Sequence, residues 1–490
     1  MRKGKILNKV SLVLMRFFHS LFKLKKKVFI FLCSAPLLFS SQAIAANFTF
    51  SQAWKLLLQN NDGLAASKAN KEEALYLQEA AADLYLPKID ITGGYSRLDE
   101  DITLAPSQLF NSMPAGDTLK TFFEGALGSS AASVDEAFTS RIAEKDVVTA
   151  SLTAVWPIYA GGRINAAQDI AQGQFMEAGH LLRIKQQALF EQLNKFYFGV
   201  VLAKQLLLTR SDAEKGLAKH LDFAKKLEQQ GQIARVERLK AEASYSQAKV
   251  EQRKAQRNLE IAQIALNQLL QEEVNALPTN GLFINNHIPV LVELINATLA
   301  NHPGLGILKA KRMQALGLVE VEEGEYWPEA FIFGNYNVYQ QDTLAAELAP
   351  DWVVGVGVSI PLSSRSGRSG KLKAAKSTLS RIGHLKAQAV RDLSLLVEKT
   401  WREADTAREE FNGLSPSLAL AHESIRMREE AFAQGLSTSL EVVDAELFLA
   451  SVKTQRQVAA YQYVLSLARL LALSNQMAQF SDYQLKGHYE

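Results

Sequence analysis

Cysteine is almost absent from this chain of 490 residues, since Cys33 is the only one. Cys33 lies in an apolar N-terminal segment, so the remaining chain has no thiol for a disulfide bond or a cysteine metal site. The 8 histidines are scattered without metal-ligand spacing, and the sequence contains neither G-x-S-x-G nor H-E-x-x-H. We therefore expect no metal, no cofactor and no enzymatic activity.

Acidic residues are absent from the first 45 positions, which hold nine Lys or Arg. An apolar stretch runs from Val28 to Phe39, and an A-x-A site ends at Ala45. This order is typical of a secretory signal peptide, which we assign to residues 1–45. The apolar stretch is short for a membrane-spanning helix, and an uncleaved anchor is the alternative.

Removal of that segment reverses the sign of the net charge. The whole sequence has a net charge of +3, whereas 45 basic and 51 acidic residues follow Ala45, which gives the mature chain a net charge of −6. The mature chain has no basic stripe of the kind that binds nucleic acid. We therefore expect no nucleic-acid partner.

The chain contains one structural unit twice. Residues 60–95 and 301–336 align without a gap and are identical at 14 of 36 positions. A second block aligns at a shift of 204 and pairs Glu237 with Glu441. A period above 200 residues indicates a duplicated domain rather than a short-repeat solenoid. The predicted organisation is a first repeat at 46–272, a connecting segment at 273–290, a second repeat at 291–476 and a C-terminal tail at 477–490.

Both repeats show the same order of predicted elements: helix, β-hairpin, long helix, helix. Spaced apolar residues predict the helices, and alternating β-branched and aromatic residues predict the strands. Pro87 and Pro328 end the first helices, and Gly231 and Gly435 are placed as C-caps of the long helices. The predicted helices are 52–85, 163–229, 237–271, 293–326, 371–434 and 441–474, and the predicted strands are 88–98, 147–158, 329–340 and 352–362.

Two irregularities distinguish the repeats. The strands of the first hairpin are separated by a long loop at 99–146, which we expect to be extracellular, whereas the second hairpin has only 341–351 between its strands. In the second long helix, Ser415 is predicted as an N-cap with Pro416 at the first helical position. We expect a kink or a restart of the helix there.

The helix lengths predict an elongated molecule. A helix of about 67 residues spans about 100 Å, and the two shorter helices of a repeat, placed end to end, would pair along it. This arrangement gives two columns per repeat and four per chain. Helix periodicity is equally compatible with an antiparallel coiled coil that has no passage inside.

The strand lengths indicate a membrane and an oligomer. Each strand has about eleven residues, the length that a tilted strand needs to cross a bilayer, where β-structure must be closed. Four strands cannot close a barrel, but three chains would supply twelve. Tyr95, Trp156 and Trp352 lie on or beside the strands, where aromatic girdles occur. Two soluble hairpins that cap a helical rod are the alternative.

Several motifs, in their order and spacing, resemble one known family. They are Trp156-Pro157-Ile158-Tyr159-Ala160-Gly161-Gly162-Arg163, Asn301-His302-Pro303, and Gln434-Gly435 followed by Leu440-Glu441-Val442-Val443-Asp444-Ala445-Glu446. Together they resemble the TolC-type outer-membrane efflux proteins over essentially the whole mature chain. The resemblance implies a mixed α and β membrane protein. Each chain would give four strands to a trimeric 12-stranded β-barrel, which a long α-helical barrel continues.

The resemblance also implies a function and partners. The function is a passive exit duct of a tripartite efflux or type I secretion system, in the cell outer membrane and extending into the periplasm. The partners are two further copies in a homotrimer, outer-membrane lipid, a periplasmic adaptor (membrane fusion protein) and an inner-membrane transporter. A non-conducting trimeric coiled-coil envelope spacer or adhesin is the alternative.

In that family the tunnel is closed at its periplasmic tip, near rings of acidic residues. The matching residues are Glu441 and Asp444, three apart on one helix face, and Glu237 in the first repeat. Across three chains, Glu441 and Asp444 would place six carboxylates around one opening, which would favour cations. Glu441 could equally complete a capping box with Thr438, without any role in a gate.

The other expected site residues lie at turns. Gly231, Gly435 and Ser437 are expected in the helix tips that contact the adaptor, and Pro157, Gly161, Gly162 and Pro361 in the strand-to-helix turns. The sequence departs from the family at the tip, where Phe432 and Ser437 replace an aromatic hydroxyl and an arginine that can lock it. We therefore expect any hydrogen-bonded lock to use other residues.

Overall fold

The structure, a computed structural model, describes residues 47–128, 130–271, 277–340, 350–363 and 365–489. The signal peptide expected at residues 1–45 lies outside the described residues. Within the described ranges, no helix combines the length and the apolar composition that crossing a membrane requires.

The first half of the chain follows the predicted order, with additional elements inside the hairpin. Its helices are α1 (Phe50–Asn60), α2 (Asp62–Ala82), α3 (Pro106–Ser112), α4 (Gly116–Leu127), α5 (Ala131–Phe138), α6 (Arg163–Gln229) and α7 (Arg235–Leu270). Its strands are β1 (Asn47–Phe48), β2 (Lys88–Arg97), β3 (Ile102–Leu104), β4 (Ser140–Ala143) and β5 (Asp146–Ala160).

The second half repeats the same order. Its strands are β6 (Leu277–Pro278), β7 (Phe283–Ile284), β8 (Glu329–Gln340), β9 (Trp352–Ser359) and β10 (His488–Tyr489). Its helices are α8 (Leu291–Asn301), α9 (Pro303–Gly324), α10 (Arg368–Gly413), α11 (Ser415–Ala433), α12 (Ser439–Leu473) and α13 (Phe480–Lys486).

The first helix of each repeat is divided in two, which corrects the single helices predicted at 52–85 and 293–326. Asn61 separates α1 from α2, and its side-chain oxygen accepts a hydrogen bond of 2.9 Å from the Leu64 N–H. His302 holds the aligned position between α8 and α9 and accepts from the Gly304 N–H at 3.1 Å. Both residues are therefore N-caps, which satisfy a free N–H at a new helix start.

The four long strands form one antiparallel sheet in the order β2-β5-β8-β9. β5 pairs with β2 on one side and with β8 on the other, so the two hairpins are joined through β5 and β8. The β5–β8 register shifts after Pro157, which has no N–H to donate to the ladder. Among the described strands, none pairs with the outer side of β2 or β9, so both edges of the sheet are free.

The helices pack in columns along α6. In the first repeat, α2 and α7 both contact α6, and in the second repeat α9 and α12 contact both α6 and α10. The order across the molecule is α2, α6, α9, α10 near the sheet and α7, α6, α12, α11 at the far end. This is the arrangement of long and stacked short helices that the lengths predict.

The long helix of the second repeat restarts near Pro416, as predicted, and is divided into α10 and α11. Its counterpart in the first repeat, α6, runs through 67 residues without a break. A proline cannot donate an N–H to the preceding turn, so the helix loses a hydrogen bond there. The assignment of Ser415 as the N-cap was wrong by one position. Leu414 holds the cap with φ −80° and ψ −6°, Ser415 is the first helical residue and Pro416 the second.

The segment 99–146, predicted as a loop, is a small folded insertion. Its helices α3 to α5 lie between β3 and β4 in the chain, and these two strands pair with each other. The Ser107 N–H donates to the Asp135 carboxylate at 2.9 Å, and the rings of Phe110 and Phe123 lie 5.4 Å apart. Two of these helices, α3 and α5, have only 7 and 8 residues, which is too few turns to show a clear apolar period in the sequence.

The main apolar core lies midway along the columns and includes both ends of the described chain. The rings of Phe50, Phe190, Phe198, Phe283 and Phe480 meet with centroids 4.8 to 6.2 Å apart. β1 pairs with β6, and β10 pairs with β7. The described parts of the predicted connecting segment and C-terminal tail, residues 277–290 and 477–489, therefore contribute to the core.

Candidate functional site

Each repeat has a tip where the chain reverses, between α6 and α7 and between α11 and α12. Gly231 and Gly435 follow the preceding helices with φ of +71° and +72°. In both tips the residue after the glycine donates its N–H to the carbonyl five residues earlier, at 2.9 Å. This closure needs a left-handed residue, a conformation that glycine adopts at little cost. The two glycines end the helices as predicted, but each lies one position beyond the C-cap, which is Gln230 or Gln434.

Glu441 caps the start of α12. The Thr438 N–H donates to its carboxylate at 3.2 Å, and the Glu441 N–H donates to the Thr438 hydroxyl at 3.4 Å. The Ser437 hydroxyl also donates to Glu441, and the Arg428 guanidinium lies 3.2 Å away. These bonds, that from Ser437 first, hold the pKa of Glu441 below its usual value. The predicted capping box is present, and its carboxylate stays charged.

Glu237 connects the first repeat to the second. Its carboxylate accepts a hydrogen bond of 3.0 Å from Lys240 and one of 2.9 Å from the backbone N–H of Ser439, the first residue of α12. The bond from Lys240, and then that from Ser439, lower the pKa of Glu237. A charged side chain of α7 thus satisfies a free N–H at the start of a helix in the other repeat.

His220 belongs to the same cluster, although the sequence analysis did not single it out. Its side chain on α6 is only 5% exposed, and its Nε2 shares a hydrogen bond of 2.7 Å with the Ser439 hydroxyl. Its ring lies against Phe432, with 4.6 Å between centroids. Burial lowers the pKa of His220, and the nearby Glu237 carboxylate opposes this shift.

The two tips are therefore tied together by His220, Glu237 and Ser439 rather than by an aromatic hydroxyl and an arginine. Phe432 takes part as a buried ring, 2% exposed, that packs against His220. The repeat alignment offers no signal for this cluster, because the counterpart of His220 is Ser424.

Asp444 lies about one turn beyond Glu441 and is exposed. The structure thus brings Glu237, Ser437 and Glu441 together at the start of α12, and leaves Asp444 open to solvent in the single chain. The ring of six carboxylates requires three chains and stays a prediction.

The strand-to-helix turns lie at the opposite end, next to the sheet. Gly161 and Gly162 have φ of +62° and +80°. A Cβ at Gly161 would stand 2.6 Å from the Gly324 carbonyl oxygen at the end of α9, so this close approach requires glycine. In the second repeat, the Arg368 guanidinium donates to the Pro361 carbonyl at 3.0 Å. These turns fix the sheet on the helices.

The chemistry of the tips is that of charge and hydrogen bonding. In the part of the chain that the structure describes, no group of three or more His, Cys, Asp or Glu side chains is placed to hold a metal ion. The arrangement can attract cations and can hold two helix pairs together.

Comparison with known proteins gives one family and several related folds. A model of the family described as outer membrane efflux protein matches residues 53–271 and 294–476. No curated protein sequence matches. The outer membrane protein VceC of Vibrio cholerae is 13% identical, with 87% of this chain and 96% of that chain covered and a TM-score of 0.69.

Two further solved structures share the fold. The Campylobacter jejuni CmeC outer membrane channel is 15% identical, with 87% of this chain and 86% of that chain covered and a TM-score of 0.68. The open state of the Neisseria gonorrhoeae MtrE outer membrane channel is 17% identical, with 87% and 89% covered and a TM-score of 0.68.

Proposed function

This chain belongs to the outer membrane efflux protein family, and on that premise we propose that three copies of it close into one passive duct. It is an efflux channel of the outer membrane that spans this membrane and the periplasm. The observation that carries the trimer is the pair of free sheet edges, which lie on opposite sides of one chain.

The free edges are complementary. Strand directions alternate across the sheet, so β9 of one copy would meet β2 of the next copy in antiparallel pairing. An open edge of this length attracts another strand, because its N–H and C=O groups lack partners. The two paired surfaces differ, so the contact is head-to-tail and is completed by closing a ring. Three chains supply twelve strands, an even number within the usual range of such barrels.

The helices offer matching free sides. α7 stands at one end of the helix row and α11 at the other. One face of α7 exposes a series of apolar side chains: Val236, Leu239, Val250, Ile261 and Ile264. α10 and α11 expose Leu395, Leu420 and Met427. Closure of a ring would cover both sets, which supports a second copy as the partner of each face.

In this proposal the duct does not itself use energy. The sequence carries no phosphate-binding loop of the G-x-x-x-x-G-K-[ST] type, so uphill export draws its energy from an inner-membrane transporter reached through a periplasmic adaptor. We place the contact with the adaptor at the turns around Gly231, Gly435 and Ser437, where the helices reverse.

The tip carboxylates act as a cation-selective gate in this proposal. Glu441 and Glu237 have lowered pKa values and stay charged while they cap α12, so capping and gating are compatible. Arg428 and Lys240 partly neutralise these two carboxylates. Asp444, which is exposed, then contributes most to the field in the opening.

Reconstitution in planar bilayers tests the duct. The purified protein should have the mass of three chains in native mass spectrometry and should show cation-preferring conductance that is lost when the trimer is dissociated. A trimer that never conducts would support the envelope spacer or adhesin instead. A protein that stays monomeric when inserted in lipid would refute the shared barrel.

A further inference from the structure

A buried acidic side chain lies between the two repeats, about two helical turns from the tip cluster. Glu446 on α12 is 9% exposed. It faces Gly216 of α6, where even a Cβ atom would collide with the Glu446 carboxylate, so the missing side chain of the glycine forms a notch that the carboxylate fills. Glu446 takes no part in the capping and tip contacts described above.

The notch belongs to a continuous packing surface, which we call the seam. It consists of Gly216, Leu217 and His220 on α6 with Ser439, Val443 and Glu446 on α12. Leu217 and Val443 are 1% and 4% exposed and pack together in one small apolar cluster. The seam thus contains two titratable side chains, His220 near the tip and Glu446 further along the same helices.

Glu446 has no counterpart in the first repeat with the same environment. The aligned residue, Glu242 on α7, is exposed and pairs with Arg238. Glu446 makes no hydrogen bond or ion pair within the described residues. An ionised carboxylate buried in this way has lost much of its hydration without a hydrogen bond in return, which makes its charged form unfavourable.

We propose that Glu446 is a protonation switch in the seam, seated in the Gly216 notch when neutral and expelled from it when ionised, so that α12 loosens from α6. The inference deepens the proposed function, on which it rests for its effect on export. It concerns the same tip region, but it places the pH response outside the predicted carboxylate ring.

The charges around Glu446 set where the switch acts. Burial raises the pKa of Glu446 to about 7, and Glu429 on α11 and Asp212 on α6 act in the same direction. Lys453 on α12 and Lys219 on α6 lower it in part. The seam therefore contains a neutral carboxyl below about pH 7 and a carboxylate above it.

The sign of the effect on stability follows from this raised pKa. The folded chain keeps the Glu446 proton up to about pH 7, whereas the unfolded chain loses it near the ordinary value of 4.5. The contribution of Glu446 is therefore complete at acid pH and declines as the pH rises toward 7. His220 acts in the opposite direction, because its pKa is lowered and its protonation in acid destabilises the seam. A rise in pH therefore loosens the seam through Glu446, and a fall in pH loosens it through His220.

Amide hydrogen exchange tests the switch in the purified trimer. Wild type and Glu446→Gln are compared at the same pH, so that the intrinsic exchange rate cancels. In residues 439–450 the wild type should exchange up to about tenfold faster than Glu446→Gln at about pH 8, one unit above the pKa of Glu446. The two proteins should exchange alike near pH 4, where Glu446 is mostly protonated in the folded and in the unfolded chain, and equal exchange at both pH values would refute the switch.

Two further variants sharpen the test. Glu242→Gln, the exposed counterpart in the first repeat, should match the wild type at both pH values. Gly216→Ala fills the notch and should raise exchange in residues 439–450 at both pH values. This variant tests the seating of Glu446 independently, so the test does not depend on the folding of Glu446→Gln. A Gly216→Ala protein with the exchange of the wild type would show that Glu446 is not seated there.

Conductance in planar bilayers separates this inference from the proposed function. The open fraction of the wild type, relative to that of Glu446→Gln at the same pH, should rise between about pH 4.5 and pH 7. If both proteins conduct with the same pH dependence, the switch is wrong and the duct stands. If neither conducts at any pH while their exchange differs, the duct is wrong and the switch stands.

Discussion

At the scale of single residues, the tip shows how one carboxylate can serve a helix and an opening together. The Oε2 atom of Glu441 is contacted by Thr438, Ser437 and Arg428, which fixes the position of the carboxylate and preserves its charge. Asp444 is exposed, so in the proposed duct its charge would be open to a passing ion. The sequence predicted both residues, but only the contacts distinguish their tasks.

Removing both charges should weaken cation preference. Asp444→Asn with Glu441→Gln eliminates six carboxylates from a trimer, while the glutamine can still accept the Thr438 N–H and keep the cap. The reversal potential in a salt gradient across a planar bilayer measures the preference. Asp444→Asn alone should produce most of the decrease, and unchanged selectivity in the double variant would refute the gate assignment.

The glycine at the second tip should be sensitive to a single methyl group. Gly435→Ala places a Cβ on a residue with φ of +72° and should cost about 1 kcal/mol of unfolding free energy. Gly413→Ala is the matched control, because a Cβ at Gly413 meets open space at the end of α10. Urea unfolding followed by circular dichroism should show a lower midpoint for Gly435→Ala only. Equal midpoints would contradict the left-handed cap.

At the scale of elements, the sequence predicted what depends on local pattern and missed what depends on distant partners. The bounds of α6 match the prediction, because its apolar spacing and the glycines at its two ends are local signals. The pairing of β1 with β6 joins residues about 230 apart, and no local pattern specifies it. The bond between His220 and Ser439 spans a similar separation, which explains why the lock at the tip was expected but its residues were not.

The free face of α7 should be required for assembly. Ile261→Glu with Ile264→Glu puts charges on side chains that are 63% and 67% exposed in one chain but covered in the proposed ring. The trimer should then dissociate at lower temperature, as heat-modifiable migration in gels would show. Leu208→Glu, on α6 in the middle of the helix row and 49% exposed, should leave the trimer unchanged. A similar loss in both variants would argue against a specific interface.

The insertion should be dispensable for the sheet. Its ends meet where the Leu98 N–H donates to the Lys145 carbonyl at 2.7 Å, and the β2–β5 ladder is complete at Arg97 and Asp146. Replacing residues 99–144 with a two-residue turn should therefore preserve the trimer and its conductance. Native mass spectrometry and planar bilayers would reveal any loss, which would give the insertion a part in assembly.

At the scale of the whole molecule, the duplication explains why one chain contains two similar pairs of helix columns, one pair from each repeat. The repeats differ where they meet: Glu237 of the first caps Ser439 of the second, and Gly216 of the first admits Glu446 of the second. The sequence alignment placed Glu237 opposite Glu441, but it could not predict that Glu237 reaches across to the other repeat. Such contacts arise only when the two repeats fold against each other.

The restart near Pro416 makes the long helices of the two repeats mechanically unequal. α6 is a continuous strut of 67 residues from the sheet to the tip, whereas a joint at Leu414 divides α10 from the 19 residues of α11. A sideways force on the tips should bend the chain at Leu414 first. α11, about 30 Å long, would then move while α6 stays in place. Pro416→Ala should stiffen the joint and reduce the spread of spin-label distances across the tip. Force applied at the periplasmic end is thereby converted into the displacement of one arm of each chain.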